Sequence, residues 1–226
     1  MIQGLVTILL TSYNRPIMIR DAINSVLNQT YKNWELFVLD DNSNEGTLEV
    51  IRGYLVDPRI RFFRTNLTEN HDWLQARYAV NINDTIDKIN GEFTTYLTDD
   101  DYFMPRRLEC MVKYFNQHPE AGVVYGRQLI MRGNANGGLR APDKILNWAA
   151  GSVDHCSIMH KTSCFEKSGK WPTHNIRCAD GEFWASLNRA GYNFYPVLEI
   201  TDVHRYHHQE LSSKIDRGEM DSGPRE

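Results

Sequence analysis

Hydrophobic and polar positions switch along this chain between strand-like runs and helical spacing. Leu5 to Leu10 is a short apolar run, the pattern of a strand buried on both faces. It ends in Thr11-Ser12-Tyr13-Asn14-Arg15-Pro16, where Asn14 suits a helix N-cap and Pro16 the first turn. Ile19, Ala22, Ile23, Val26 and Leu27 then mark one helical face. Glu35 to Leu39 predicts a second strand, ending in Asp40-Asp41-Asn42-Ser43, and Leu48, Ile51 and Leu55 predict a helix stopped by Pro58. Ile60 to Phe63 reads as a third strand. Leu74, Tyr78, Ile82 and Ile86 recur every four residues, so 71–89 is expected to be one long helix ended by Gly91. Phe93 to Leu97 is a fourth strand, running into Thr98-Asp99-Asp100-Asp101.

Beyond this triplet the pattern is less regular. Pro105 opens a helix through Leu108, Met111, Val112 and Phe115. Val123–Tyr125 and Leu129–Met131 are expected to form a strand pair, and 132–142, rich in glycine and asparagine, a flexible loop that is either a lid or a surface excursion. Cys156–His160 reads as a strand, Asp180–Ala190 as a helix closed by Gly191, and Tyr192–Ile200 as extended chain. The strand–helix alternation predicts an α/β fold: a single αβα sandwich with a mostly parallel central sheet and an irregular second half. One domain is expected over 1–213, with a nucleotide-type half at 1–131 and a more irregular half at 132–213; the charged stretch 214–226 is expected to fray.

Composition narrows the function classes. In 226 residues, 41% hydrophobic and 24% charged content is that of an ordinary soluble globular protein. A net charge of −4 supplies no basic field, so general nucleic-acid or membrane-surface binding is not indicated. No apolar run approaches the roughly 20 residues of a membrane-spanning helix. The four cysteines form no Cys-x-x-Cys pair, which argues against structural zinc, and reduced thiols in the cytoplasm are the expectation.

Two strands end in Asp-Asp, and parallel strands bring their carboxyl ends to one rim, where such sheets bind ligands. Adjacent carboxylates there repel unless a positive group sits among them, and a hard divalent cation holding phosphate oxygens would serve. The alternative is that Asp101 caps the next helix while its neighbours are solvated. Neither a dinucleotide glycine fingerprint nor a P-loop is present, so a diphosphate would need another holder. Asp180 opens a helix, where aspartate is favoured as an N-cap for its own sake. Arg106 and Arg107 read as a solvated helix face, with diphosphate contact as the alternative.

Thr11-Ser12-Tyr13-Asn14, Ala22 to Thr30, Asp40-Asp41-Asn42-Ser43, Thr98-Asp99-Asp100-Asp101 with Pro105-Arg106-Arg107-Leu108, and Val153 to His160 together resemble the family 2 inverting glycosyltransferases, especially the bacterial spore-coat polysaccharide members. The resemblance covers roughly residues 4 to 200 and implies a GT-A fold. It implies a UDP- or dTDP-sugar donor, a glycan or other hydroxyl acceptor, and Mn²⁺ or Mg²⁺. On that likeness Thr11 and Tyr13 pack against the base, Asp41 reads its ring, and Asp99 contacts the ribose. Asp100 ligates the metal, His207 (in Arg205-x-His207) reaches metal or diphosphate, and Asp180 is the catalytic base. Two departures stand out. Asp72 stands where these members have an arginine near the nucleotide, so that either Arg77 takes over that contact or nucleotide selection differs, and Gly181-Glu182 after the base leaves Glu182 as a rival. A non-catalytic sugar-nucleotide or glycan-binding module is the alternative function. A sugar nucleotidyltransferase ranks lower, because Leu9 to Pro16 lacks its glycine-rich loop.

Overall fold

The computed structural model describes residues 1–65, 67, 75–133, 135–174 and 178–207. Asp72, Leu74, His208 and the expected tail at 214–226 lie outside them. One sheet runs in the order β3-β2-β1-β4-β8-β6-β9-β5, with β7 paired to β6. Its strands are β1 (Ile2–Ser12), β2 (Trp34–Asp40), β3 (Ile60–Arg64), β4 (Gly91–Thr98), β5 (Tyr102–Phe103), β6 (Val123–Arg132), β7 (Ala135–Arg140), β8 (Ile158–Lys161) and β9 (Phe194–Tyr206). β1 to β4, β6 and β9 share one direction; β5, β7 and β8 oppose it. The helices are α1 (Met18–Leu27), α2 (Glu45–Tyr54), α3 (Arg77–Asn83), α4 (Arg107–Gln117), α5 (Phe165–Ser168) and α6 (Ala179–Arg189).

Side chains alternate across the sheet and so build two cores. Val6, Ile8 and Leu10 of β1 with Leu36 and Val38 of β2 face α1, α2 and α4. Leu9, Phe37 and Leu39 face the other way, toward α3 and α6. The strands buried on both faces are those the apolar runs predict.

Several expected elements differ. Asn14 caps nothing: helix α1 starts at Met18, and Asn14 sits at φ 53 with its Oδ1 accepting the Asn44 N–H at 2.7 Å. The long helix expected over 71–89 is, among the described residues, the short α3 followed by a 3₁₀ turn at Ile86–Lys88. Thr85 interrupts it, its hydroxyl donating to Ile82 O at 2.9 Å. Asn83 is engaged beside it, exchanging two 2.9 Å hydrogen bonds with the Trp171 backbone. The expected strand pair is one strand, β6. Gly126, whose missing Cβ would come within 1.9 Å of the Thr201 hydroxyl, lets β9 approach there. The segment 132–142 is largely the β7 arm of a hairpin with β6, not a structureless loop. In 156–160 the strand proper begins at Ile158, after a 3₁₀ turn at His155–Ser157, and β9 extends through the histidine-rich stretch to Tyr206.

Arg107 also departs from its expected place. It is fully buried and pairs with the fully buried Asp202 at 2.8 Å, donating also to Thr95 Oγ1 at 2.9 Å and Ile158 O at 3.2 Å. Gln128, Ser157 and Thr201 donate to the same carboxylate. Arg106 lies exposed against Glu109 at 3.2 Å, the solvated member of the two. Arg107→Ala is expected to cost about 3–5 kcal/mol, because it strands a buried charge. Urea denaturation checks this: the midpoint should fall, and part of the loss should return in Arg107→Ala/Asp202→Ala.

Candidate active site

β1 lies between β2 and β4 in parallel register, Ser12 beside Asp40 and Thr11 beside both Leu39 and Thr98. The loops leaving these three strands therefore meet on one rim. Asn14 and Asn42, both in the left-handed region, turn the first two loops tightly. The Asn14 N–H donates to Ser43 Oγ at 3.0 Å and tacks the loops together. Thr11 is buried in β1, its carbonyl accepting the Asp99 N–H at 3.1 Å. Tyr13 is not a core aromatic: its ring is 55% exposed. Asp41 is clamped by Arg77, whose Nε donates to Oδ2 at 2.6 Å and whose Nη2 meets Oδ1. The two residues expected to share a nucleotide contact are thus side by side.

The triplet after β4 is buried, and each member has its own partner. Asp99 Oδ2 accepts the Tyr13 N–H at 2.9 Å, and its Oδ1 pairs with Arg15 Nη1 at 2.7 Å. The same nitrogen reaches Asp100 Oδ2 at 3.1 Å, where His207 Nε2 also lies at 3.0 Å. Arg205 Nε donates to the Asp100 carbonyl. Asp101 is no helix cap: α4 has no side-chain cap bond, and Asp101 is held by His204 Nδ1 at 3.1 Å and the Arg205 N–H at 3.0 Å. Burial raises the pKa of Asp99 and of Asp101, each further raised by the charge on Asp100. Burial alone would raise Asp100 too. The His207 hydrogen bond, Arg15 and Thr98 outweigh it and hold this carboxyl below the usual range. Asp100 is therefore the member of the cluster whose negative charge is held most firmly.

Asp180 stands across the second half. It is not the N-cap of α6, which is Cys178, but lies in its first turn, with Oδ1 accepting the Gly181 N–H at 2.8 Å. Burial pushes its pKa up to about 6, the neighbouring Asp154 raises it further, and Arg140 opposes the rise. Arg140 Nη1 bridges Asp154 Oδ2 at 2.7 Å and Gln128 Oε1 at 3.0 Å. Although partial burial opposes it, His204 and Arg140 lower the pKa of the half-buried Asp154. His155 packs among Tyr96, Tyr78 and Trp171, and burial lowers its pKa to about 4, so this ring is a neutral core member. Glu182, the rival base, pairs with His174 at 3.2 Å.

Asp101, Asp154 and Cys156 also bring ligand atoms within 4.8 Å of one another. Their oxygens are occupied by His204, Arg205, Arg140 and the Cys156 N–H, and burial pushes the Cys156 thiol well up, away from the thiolate a metal needs. Sequence reasoning missed Arg15, Arg140 and the anchoring part of Arg205. Only Arg205 carried a signal, through its place in Arg205-x-His207.

The loops leaving β1, β2 and β4, the acidic cluster among them, and Asp180 in the first turn of α6 make up the candidate site. The chain belongs to glycosyl transferase family 2, whose pattern matches residues 7–151. Protein CgeD of Bacillus subtilis is 39% identical over 210 residues, covering 88% of this chain and 48% of that protein. The chain thus spans about half the length of this relative. Crystal structures share the GT-A fold. Staphylococcus aureus TarS 1–349 in complex with UDP-GlcNAc superposes with a TM-score of 0.73 at 15% identity, over 92% of this chain and 60% of that one. The Pyrobaculum calidifontis mannosyltransferase PcManGT, in complex with GDP-Man and Mn²⁺, gives 0.67 at 15% identity, over 94% and 60%. Among the described residues no helix is long and apolar enough to cross a membrane.

Proposed function

We propose that this chain is a metal-dependent inverting glycosyltransferase that moves a sugar from a UDP- or dTDP-sugar to an acceptor hydroxyl. The observation that carries the reading is the contrast between two carboxylates: the buried Asp100 pairs with His207 at 3.0 Å and its pKa is held below the usual range, while that of the half-buried Asp180 is raised to about 6. Such a split separates a charge-binding role from a proton-accepting one. Tyr13 offers an exposed ring to the nucleobase, Asp41 and Arg77 read its edge, and Asp99 faces the ribose. Thr11 shapes the floor of that pocket.

A carboxylate and an imidazole nitrogen converging at 3.0 Å, with the other nitrogen of His207 buried and unpartnered, suit a Mn²⁺ or Mg²⁺ ion that also takes diphosphate oxygens. When bound, that ion would neutralise charge growing on the leaving diphosphate. The protein's own chemistry is a single displacement. Asp180 takes the proton of the acceptor hydroxyl, its oxygen bonds to the anomeric carbon, and the bond to the diphosphate breaks on the opposite face, inverting the centre. A cytoplasmic location belongs to the same reading.

Release of UDP or dTDP from a panel of sugar nucleotides, followed by NMR of the product's anomeric configuration, tests this directly. An inverted product supports the displacement, and a retained configuration contradicts it. A pH prediction follows from Arg140. The base must be deprotonated, so kcat/KM should fall as pH drops through about 6. Arg140→Gln removes a cation that holds this pKa down, so the acid limb of the profile should move to higher pH. An unmoved limb would show that Arg140 does not act on the base.

A further inference from the structure

A cavity of about 660 Å³ lies on the outward face of α6, away from the sheet. Its size is in the range of ligand sites. One wall is the α6 stripe from Gly181 through Ala185 to Arg189; the other is the segment carrying Trp148 and Ala150. The stripe is about 12 Å long at 1.5 Å per residue, and it begins one residue from Asp180.

Trp148 is 53% exposed although its neighbours Leu146 and Ala149 are buried. Its backbone is fixed: Leu146 exchanges two 2.9 Å hydrogen bonds with Phe194, and the Ala149 N–H donates to Asn188 Oδ1 at 2.8 Å. An indole on an anchored backbone and open to solvent is a preorganised flat surface, which loses little entropy on binding. Helix and segment meet at Gly181, where a Cβ would sit in ordinary contact with Ala150 Cβ at 3.9 Å. Lys170 and Arg189 add two cations. Among the described residues of the lining the one carboxylate, Glu182, faces His174 at 3.2 Å.

We propose that this groove is a second glycan site, which holds an extended acceptor chain carrying uronic-acid carboxylates at a distance from the hydroxyl that reacts. The proposal rests on the glycosyltransferase reading and names its acceptor class. Trp148 stacks on a sugar ring and thereby requires a pyranose rather than an open polyol chain. Lys170 and Arg189 pair with the carboxylates, the guanidinium in the two-pronged manner carboxylates favour.

The test uses the full chain with hexagalacturonate, maltohexaose and a glycerol-phosphate oligomer as probes, read by indole fluorescence and calorimetry, with UDP plus Mn²⁺ as a separate titration. Hexagalacturonate should bind and perturb the indole signal, and bind more tightly than the other two. Trp148→Ala and Lys170→Gln/Arg189→Gln, all surface changes, should each weaken it roughly tenfold and leave the UDP titration unchanged. Equal binding of maltohexaose, tighter binding of the phosphate oligomer, or affinity untouched by both variants overturns the proposal. So does self-association by sedimentation that Trp148→Ala abolishes, because a second copy then covers the groove. Failure of wild-type protein to bind UDP would instead strike the donor reading and leave the hexagalacturonate result to stand on its own.

Discussion

Asp180→Asn is expected to lower kcat by about 10²–10⁴-fold, the usual contribution of a positioned general base, with nucleotide binding unchanged. The substitution is nearly isosteric. An asparagine Oδ1 can still accept the Gly181 N–H that Asp180 accepts at 2.8 Å, so the start of α6 should keep its shape. What disappears is the group able to take a proton near neutral pH. A base works best with a pKa close to the working pH, and burial has already brought Asp180 to about 6. Glu182→Gln is the matched control. Glu182 is two positions along the helix, and residues so spaced do not share a face; it lines the outer cavity beside His174. It should retain most activity. Steady-state kinetics on both variants separates the candidates, and full turnover in Asp180→Asn would place the base elsewhere.

Asp100→Asn is expected to be as damaging by a different route. It removes the carboxylate of the triplet whose charge is held most firmly, shared at present between Arg15 at 3.1 Å and His207 at 3.0 Å. Loss of one group that stabilises charge in a transition state commonly costs 10²–10³-fold in turnover, and a loss of about that size is expected here. The signature lies in the metal dependence. Raising Mn²⁺ should restore little, because the carboxylate that would hold the ion is gone. Asp101→Asn should differ, since Asp101 is bound to His204 and the Arg205 backbone. Its loss should loosen the end of β9 and lower thermal stability more than it lowers metal affinity.

The rim was legible because it is local. An apolar run running straight into Asp40-Asp41 or Asp99-Asp100 states both the strand and what it delivers, and parallel pairing does the rest. The shared rim of Tyr13, Asp41 and Asp100 follows from that pattern, while the roles expected of them came from the family resemblance. Residues whose meaning depends on distant chain were not. Arg15 closes on Asp99 across 84 positions, and Asp101 is held by Arg205 across 104, so nothing near either residue announces the contact. Arg107 looked solvated because a charged residue in the first turn of a helix normally is; only Asp202, delivered by β9, makes its burial tolerable. Gly126-Arg127-Gln128 looked like a break in a strand for a related reason. Gln128 is buried in β6 and satisfied by Asp202 and Arg140, partners from other strands. Local pattern thus brought the strand ends to one rim, and long-range polar pairing set the surroundings of each carboxylate there.

The claim on which the rest depends is that Asp100 and His207 hold a divalent ion that in turn holds the donor's diphosphate. Calorimetric titration of UDP into the wild-type chain, once with Mn²⁺ and once with EDTA, is the most direct test, repeated on Asp100→Asn and His207→Ala. The account predicts much tighter binding with the ion than without it in the wild type, and loss of most of that difference in both variants. UDP binding of equal affinity with Mn²⁺ and with EDTA would contradict it.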